Sequence, residues 1–183
     1  MAHTRRLLRD AAVAGVSGSP AIAALVPVPT VEASRVPPLD PEKLPRILIY
    51  IRGETSPDLI TTSPREYRVE AELVVEYVAR YKVDAKIPED ELDAAAEAIE
   101  VALDALETTR FGGLARQARY RSTDVVVELD GTRTTASIVF RYELEYGREV
   151  APVTDAAFTD ADLEHAVGDA TADNPTDTVQ PPQ

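Results

Sequence analysis

The chain has 183 residues, with 32 acidic and 19 basic side chains, a formal net charge of −13 and a pI near 4.6. So acidic a balance excludes a surface built throughout to grip nucleic acid, which needs Lys and Arg against phosphate. The absence of Cys excludes disulfides, thiolate zinc sites and Cys nucleophiles, and His3 and His165 stand near opposite ends, too far apart in sequence for a local His pair.

The chain opens with Arg5-Arg6 before an Ala/Val-rich stretch, superficially a secretory or twin-Arg leader with a weak cleavage signal at Val31-Glu32-Ala33. Arg9 and Asp10 interrupt that run, and Gly15, Gly18 and Pro20 break it, so a membrane span is not expected. The better reading is an amphipathic helix over His3–Val16, with Leu8, Ala12 and Val16 in one stripe. Nine of the 14 prolines lie between Pro20 and Pro64 and hold the next stretch extended, with a short strand around Val31–Val36. The apolar run Arg46–Arg52, bounded by Pro45 and Gly53, predicts a buried strand. Gly53–Arg65 reads as a polar loop.

From Glu66 to Val83, apolar or aromatic residues take every odd position and charges most even ones. That period predicts one long strand with a buried and a wet face. Pro88–Glu107 predicts a helix, with Leu92, Ala96, Ile99, Leu103 and Leu106 as its apolar stripe. It carries eight acids and no base, so no i,i+4 pair can neutralise it. Asp130-Gly131 predicts a two-residue hairpin turn in which 129 opposes 132 and the arms extend as far as 115 and 146. The expected fold is therefore α+β: a mostly antiparallel four-stranded sheet with two helices packed on one face and long hairpin arms.

Residues 1–150 read as one domain and 151–183 as an acidic, Pro-containing extension with seven acids and no Lys or Arg. The body then holds 25 acids against 19 bases, and outside the eight-acid helix it is weakly positive.

No Walker loop, GxGxxG, nucleophile elbow, HExxH or EF-hand loop is present, so neither an enzyme nor a cofactor or metal site is expected. Carboxylates at nearly every polar position of 89–107 describe a solvated face rather than a selective cluster. Arg110, Arg116, Arg119 and Arg121 form a stretch with no acid between Thr108 and Thr123. They are candidate inter-subunit contacts to Glu97, Glu100 and Asp104 on the acidic helix of a neighbour, the alternative being an exposed basic strand. Glu54, Asp58 and Arg65 in the loop, with Asp130 and Gly131 at the hairpin tip, are candidate docking residues for a larger assembly.

The order of motifs resembles a known family. An N-terminal helix carrying Arg5, Leu8, Arg9, Asp10 and Ala11 precedes Ser34-Arg35-Val36-Pro37-Pro38-Leu39 and then Leu44-Pro45-Arg46-Ile47-Leu48-Ile49-Tyr50-Ile51-Arg52-Gly53-Glu54. The long alternating strand, the acidic helix and the hairpin from Ser122-Thr123 through Asp130-Gly131 to Tyr142 and Tyr146 follow. Over about residues 3–147 this is similar to the tail terminator family of long-tailed bacteriophages, the minor tail protein U type. The resemblance implies a structural virion protein without cofactor or active site. It implies a homo-oligomer, a hexameric ring that caps the tail tube, stops its polymerisation and offers a surface to the head connector. It places the protein at the head-proximal end of the tail, and in the host cytoplasm during assembly, with DNA passing through the lumen unbound. The extension after Arg148 departs from the family. Two other classes compete: a head-completion or connector adaptor, and a small exported acidic binding protein cleaved near Ala33.

Overall fold

The computed structural model describes residues 3–33, 44–55, 58–62, 65–82, 89–130 and 133–150. The chain divides into the units Met1–Val150 and Ala151–Gln183. All the described residues belong to the first; Gly131, Pro88 and the acidic extension, on which parts of the sequence reading rest, lie outside them.

Helix α1 spans Thr4–Ser17 and buries the Leu8, Ala12, Val16 stripe; His3 caps it, Nδ1 accepting from the Arg5 amide at 3.3 Å. A short helix α2 follows at Pro20–Ala23, with Pro20 at its first turn, where no amide donor is needed. The strands are β1 (Thr30–Glu32), β2 (Arg46–Glu54), β3 (Asp58–Thr62), β4 (Arg65–Lys82), β5 (Gln117–Asp130) and β6 (Arg133–Val150). Between β4 and β5 run helix α3 (Glu89–Thr108) and a single turn, α4 (Arg110–Gly113). Strand order is β1-β2-β4-β6-β5, with β3 pairing β4 beyond the end of β2.

This mixed α/β fold overturns the expected four-stranded antiparallel sheet with two helices. The sheet has six strands, β1 runs parallel to β2, and there are four helical segments among the described residues. Of the two strands beyond the expected four, β1 overlaps the short strand expected around Val31–Val36, whereas β3 was not expected. β1 is three residues long, and β3 is five residues that are all exposed, so neither shows the alternation that burial imposes. Both are held by backbone pairing to a longer neighbour. β3 lies inside the segment expected to be loop, and it forms because the first residues of β4 project past β2 and need a partner.

β4 and β6 pair over their whole length, from Arg65 opposite Val150 to Lys82 opposite Arg133. At ~3.3 Å per residue these paired strands reach nearly ~60 Å. Odd positions of β4 (Val69, Ala71, Leu73, Val75, Tyr77, Ala79) and even positions of β6 (Ile138, Phe140, Tyr142, Leu144, Tyr146) build one apolar face. α1 and α3 cover it with Leu8, Ala12, Val16, Leu92, Ile99 and Leu103. The two helices approach closely at Gly15, where a Cβ would lie 2.5 Å from Leu106. Burial holds the Tyr77 hydroxyl proton well above its ordinary range, up to about 12, and pushes Tyr142 and Tyr146 up as well.

The hairpin differs in register from the sequence reading. Asp130 opposes Arg133, so each residue from Ser122 to Asp130 meets a partner two places further along β6 than expected, which keeps its face. The register then shifts between Tyr120 and Ser122. This bulge at Arg121 turns Ala118 and Tyr120 to the face of Leu144 and Tyr142, and the Tyr120 ring packs edge-on to Tyr142 at 5.7 Å.

The chain enters β5 through a left-handed run. Arg110, Phe111, Gly112 and Gly113 all have positive φ (50°, 53°, 69° and 80°). Two glycines accept this freely, whereas Arg110 and Phe111 do so at a cost. The Phe111 side chain is fully buried in the core, which offsets that cost.

Candidate functional site

Glu54, at the end of β2, is an exposed residue whose carboxylate is already committed within the chain. It accepts a hydrogen bond from the Tyr146 hydroxyl at 2.7 Å and pairs with Arg5 Nε at 3.7 Å. Arg5 also donates to the Ile51 carbonyl at 2.9 Å. Tyr146 is fully buried, and its hydroxyl proton is held by burial and by the Glu54 acceptor. The network thus ties α1, β2 and β6 together.

The other expected docking residues scatter. Asp58 opens β3 and pairs with Arg68 at 3.5 Å, both exposed, while Arg65 opens β4 as an exposed residue. Asp130 ends β5, and Gly131 lies outside the described residues.

The expected basic segment is half committed within the chain. Arg116 pairs with Glu66 and Arg121 with Glu143. Arg110 and Arg119 are exposed and have no ion pair among the described residues. The segment therefore offers far less free charge than the sequence suggests. The structure does not bring it into contact with Glu97, Glu100 or Asp104, which stay on the outer face of α3.

That outer face is a ladder. Glu89, Asp93, Glu97, Glu100, Asp104 and Glu107 follow one another at spacings of three or four. Like charges at these spacings cost a helix roughly 0.2–0.5 kcal/mol per pair. No α3 side chain joins an ion pair among the described residues, and Val101 stands exposed amid the acids.

Sequence reasoning missed the face of the sheet that α1 and α3 leave uncovered. Leu48, Val74, Val78 and Val139 are buried there beneath a charged cover. Arg141 links Glu72 (3.6 Å) with Asp124, and Glu72 reaches Arg52 at 3.9 Å. Tyr50 donates to Glu76 at 3.4 Å. Strand alternation places these charges on the wet face, but only the register makes them neighbours. Desolvation raises the Glu76 carboxyl above its ordinary range, outweighing the hydrogen bond from Tyr50. The native state thus holds this proton where the unfolded chain has already lost it. The resulting deficit builds as pH rises from the unfolded value to the native one and vanishes below the unfolded one. Glu76→Gln, which keeps an acceptor for Tyr50, is expected to raise the thermal midpoint near neutral pH and leave it unchanged in acid. A lower midpoint at neutral pH would show that the charge is stabilising.

A hollow of about 460 Å³ lies beside this network, lined by Glu54, Glu70, Glu72, Glu143, Arg121 and Tyr142 among others. Its carboxylates at Glu54, Glu72 and Glu143 are committed to Tyr146 and Arg5, to Arg52 and Arg141, and to Arg121 respectively. Among the described residues no three His, Asp or Glu side chains are grouped to hold a metal ion, and no helix is long and apolar enough to cross a membrane.

No protein-family model matches the chain, and no curated protein matches it.

Proposed function

We propose that the chain is a structural component of a long-tailed phage: a tail terminator that forms a ring, caps the tail tube, stops its polymerisation and presents a joining surface to the head connector. One observation carries the reading. Three of the segments that carry the resemblance meet in one network: Arg5 from the N-terminal helix, Glu54 from Arg52-Gly53-Glu54 and Tyr146 from the closing hairpin. Residues 92 apart in sequence are thereby joined by a direct hydrogen bond, which holds these segments in one tertiary unit.

The architecture supports a structural role in a further way. The carboxylates that might be taken for chemistry are bound into ion pairs that stiffen the sheet. The unneutralised charge is displayed on one helix face, where a neighbour would meet it. On this reading the ring is hexameric, its partners are the tail tube and the connector, and DNA traverses it without specific binding.

The test is electron microscopy of particles assembled without this chain. Headless tails of uncontrolled length are the expected result. Filled heads without tails, beside tails of normal length, would instead make the chain a connector adaptor. Complete particles with normal tails would overturn both readings.

A further inference from the structure

We infer that copies of this chain associate head to tail through opposite edges of the sheet, the β5/α3 edge of one against the α1/β1 edge of the next. The inference rests on the ring proposed above and names its contact surfaces.

β5 is the last strand in the sheet order, so one side of its 14-residue backbone has no strand beside it among the described residues. Edge strands are ordinarily blunted by charge, proline or a cover. Here Val125, Val126 and Val127 stand in succession, 61%, 42% and 49% exposed, on both faces of the edge. On α3, Val101 is 54% exposed among Glu97, Glu100 and Asp104. This edge is therefore apolar over Val125–Val127 of the strand and acidic along the helix.

The opposite edge carries the reverse charge, on helix α1 beside β1 and β2. Arg5, Arg6 and Arg9 of α1 line a hollow of about 230 Å³ together with Ala33, Tyr50 and Ile51, beside the end of β1. Asp10 is the one acid of α1 and is shared between Arg6 (3.4 Å) and Arg9 (2.9 Å). Hydrogen bonding from Arg9 holds its carboxyl below the usual range. The surface remains net positive. Exposed apolar residues accompany it: Leu7 on α1, and Val26 and Val28 on the approach to β1.

An acidic, apolar edge and a basic, apolar edge on opposite sides of one chain are complementary to each other and not to themselves. That disfavours a two-fold contact, in which each patch meets its own copy, and favours a heterologous one, the kind of contact the proposed ring needs. It also relieves the acid ladder of α3, which nothing in its own chain neutralises among the described residues. The occupant of the β5 edge is thus a second copy. The basic partner of α3 is the neighbour's α1 rather than its Arg110–Arg121 segment, half of which is already paired at home.

Charge-swap complementation tests this. One variant carries Glu97→Lys, Glu100→Lys and Asp104→Lys; the other carries Arg6→Glu and Arg9→Glu, leaving Arg5 in its network. A third, Val126→Lys, places a charge on the exposed edge without entering the core. Circular dichroism confirms that each is folded, and native mass spectrometry reads the assembly. The wild type is expected to form a closed oligomer. Each variant alone is expected to fall to monomer, with association weakened at least about tenfold by the like charges brought together. An equimolar mixture of the two charge-reversed variants is expected to regain a ring of alternating copies. Variants that keep the wild-type mass, or a folded mixture that stays monomeric, would overturn the inference while leaving a wild-type ring intact. A wild type that stays monomeric would overturn it together with the ring itself.

Discussion

Phe111→Ala is expected to cost about 3–5 kcal/mol, read as a lower urea midpoint at unchanged slope. The ring is fully buried, and it sits in a left-handed backbone turn that is unfavourable for a residue with a Cβ. Such a conformation costs of order 1–3 kcal/mol and persists only where packing determines it. Remove the ring and the turn loses its anchor while the cavity remains. Phe111→Leu keeps most of the apolar contact and is expected to cost clearly less. A loss below about 1 kcal/mol for the alanine variant would show that the turn holds without its anchor. The effect reaches beyond stability, because Phe111 sets where α3 stops and β5 begins. Its loss is expected to misalign the acid ladder with the valines of the β5 edge and so to weaken association as well.

The second large effect is at Glu54. Glu54→Ala strips the buried Tyr146 hydroxyl of its acceptor and Arg5 of its carboxylate. An unsatisfied buried donor costs about 1–3 kcal/mol, and that is the expected loss. Tyr146→Phe removes the donor instead and is expected to cost less, because no polar group is stranded. In the double variant the penalty of the stranded hydroxyl disappears, so the two changes should be non-additive by about 0.5–3 kcal/mol. Strict additivity in urea unfolding would mean that the two side chains are not coupled. Arg5→Ala breaks the third corner and is expected to loosen α1 from the end of β2 without disturbing the hydrogen bond.

The contrast between these two sites marks how much was legible in the sequence. Gly112-Gly113 signals a turn after α3, but nothing local announces that the turn begins two residues earlier with Phe111 driven inward. Glu54 sits beside Gly53 in a polar stretch and reads as an exposed loop acid. Its partner lies 92 residues away, and only the stacking of β2, β4 and β6 brings the two within reach. The Arg116 and Arg121 pairs were hidden for the same reason: their carboxylates, Glu66 and Glu143, belong to strands whose register the sequence does not state. The acid ladder of α3 was fully legible, since helical spacing and charge are both local properties.

The sequence by itself determined the long elements. The period of two across β4 and β6, and the stripes on α1 and α3, follow from burying one face of an element whose geometry has a fixed repeat, and that repeat is written along the chain. What only the tertiary structure decided is neighbourhood. The short strands β1 and β3, the two-residue slip of the hairpin and the bulge at Arg121 arise from backbone pairing, which is indifferent to side-chain identity. So do the partners of Glu54, Arg116, Arg121 and Arg141. Periodicity tells which side a residue faces; register tells what it meets there. The −13 charge therefore announced an acidic protein, and among the described residues only the folded chain separated charges paired across the sheet's wet face from an unpaired ladder on α3.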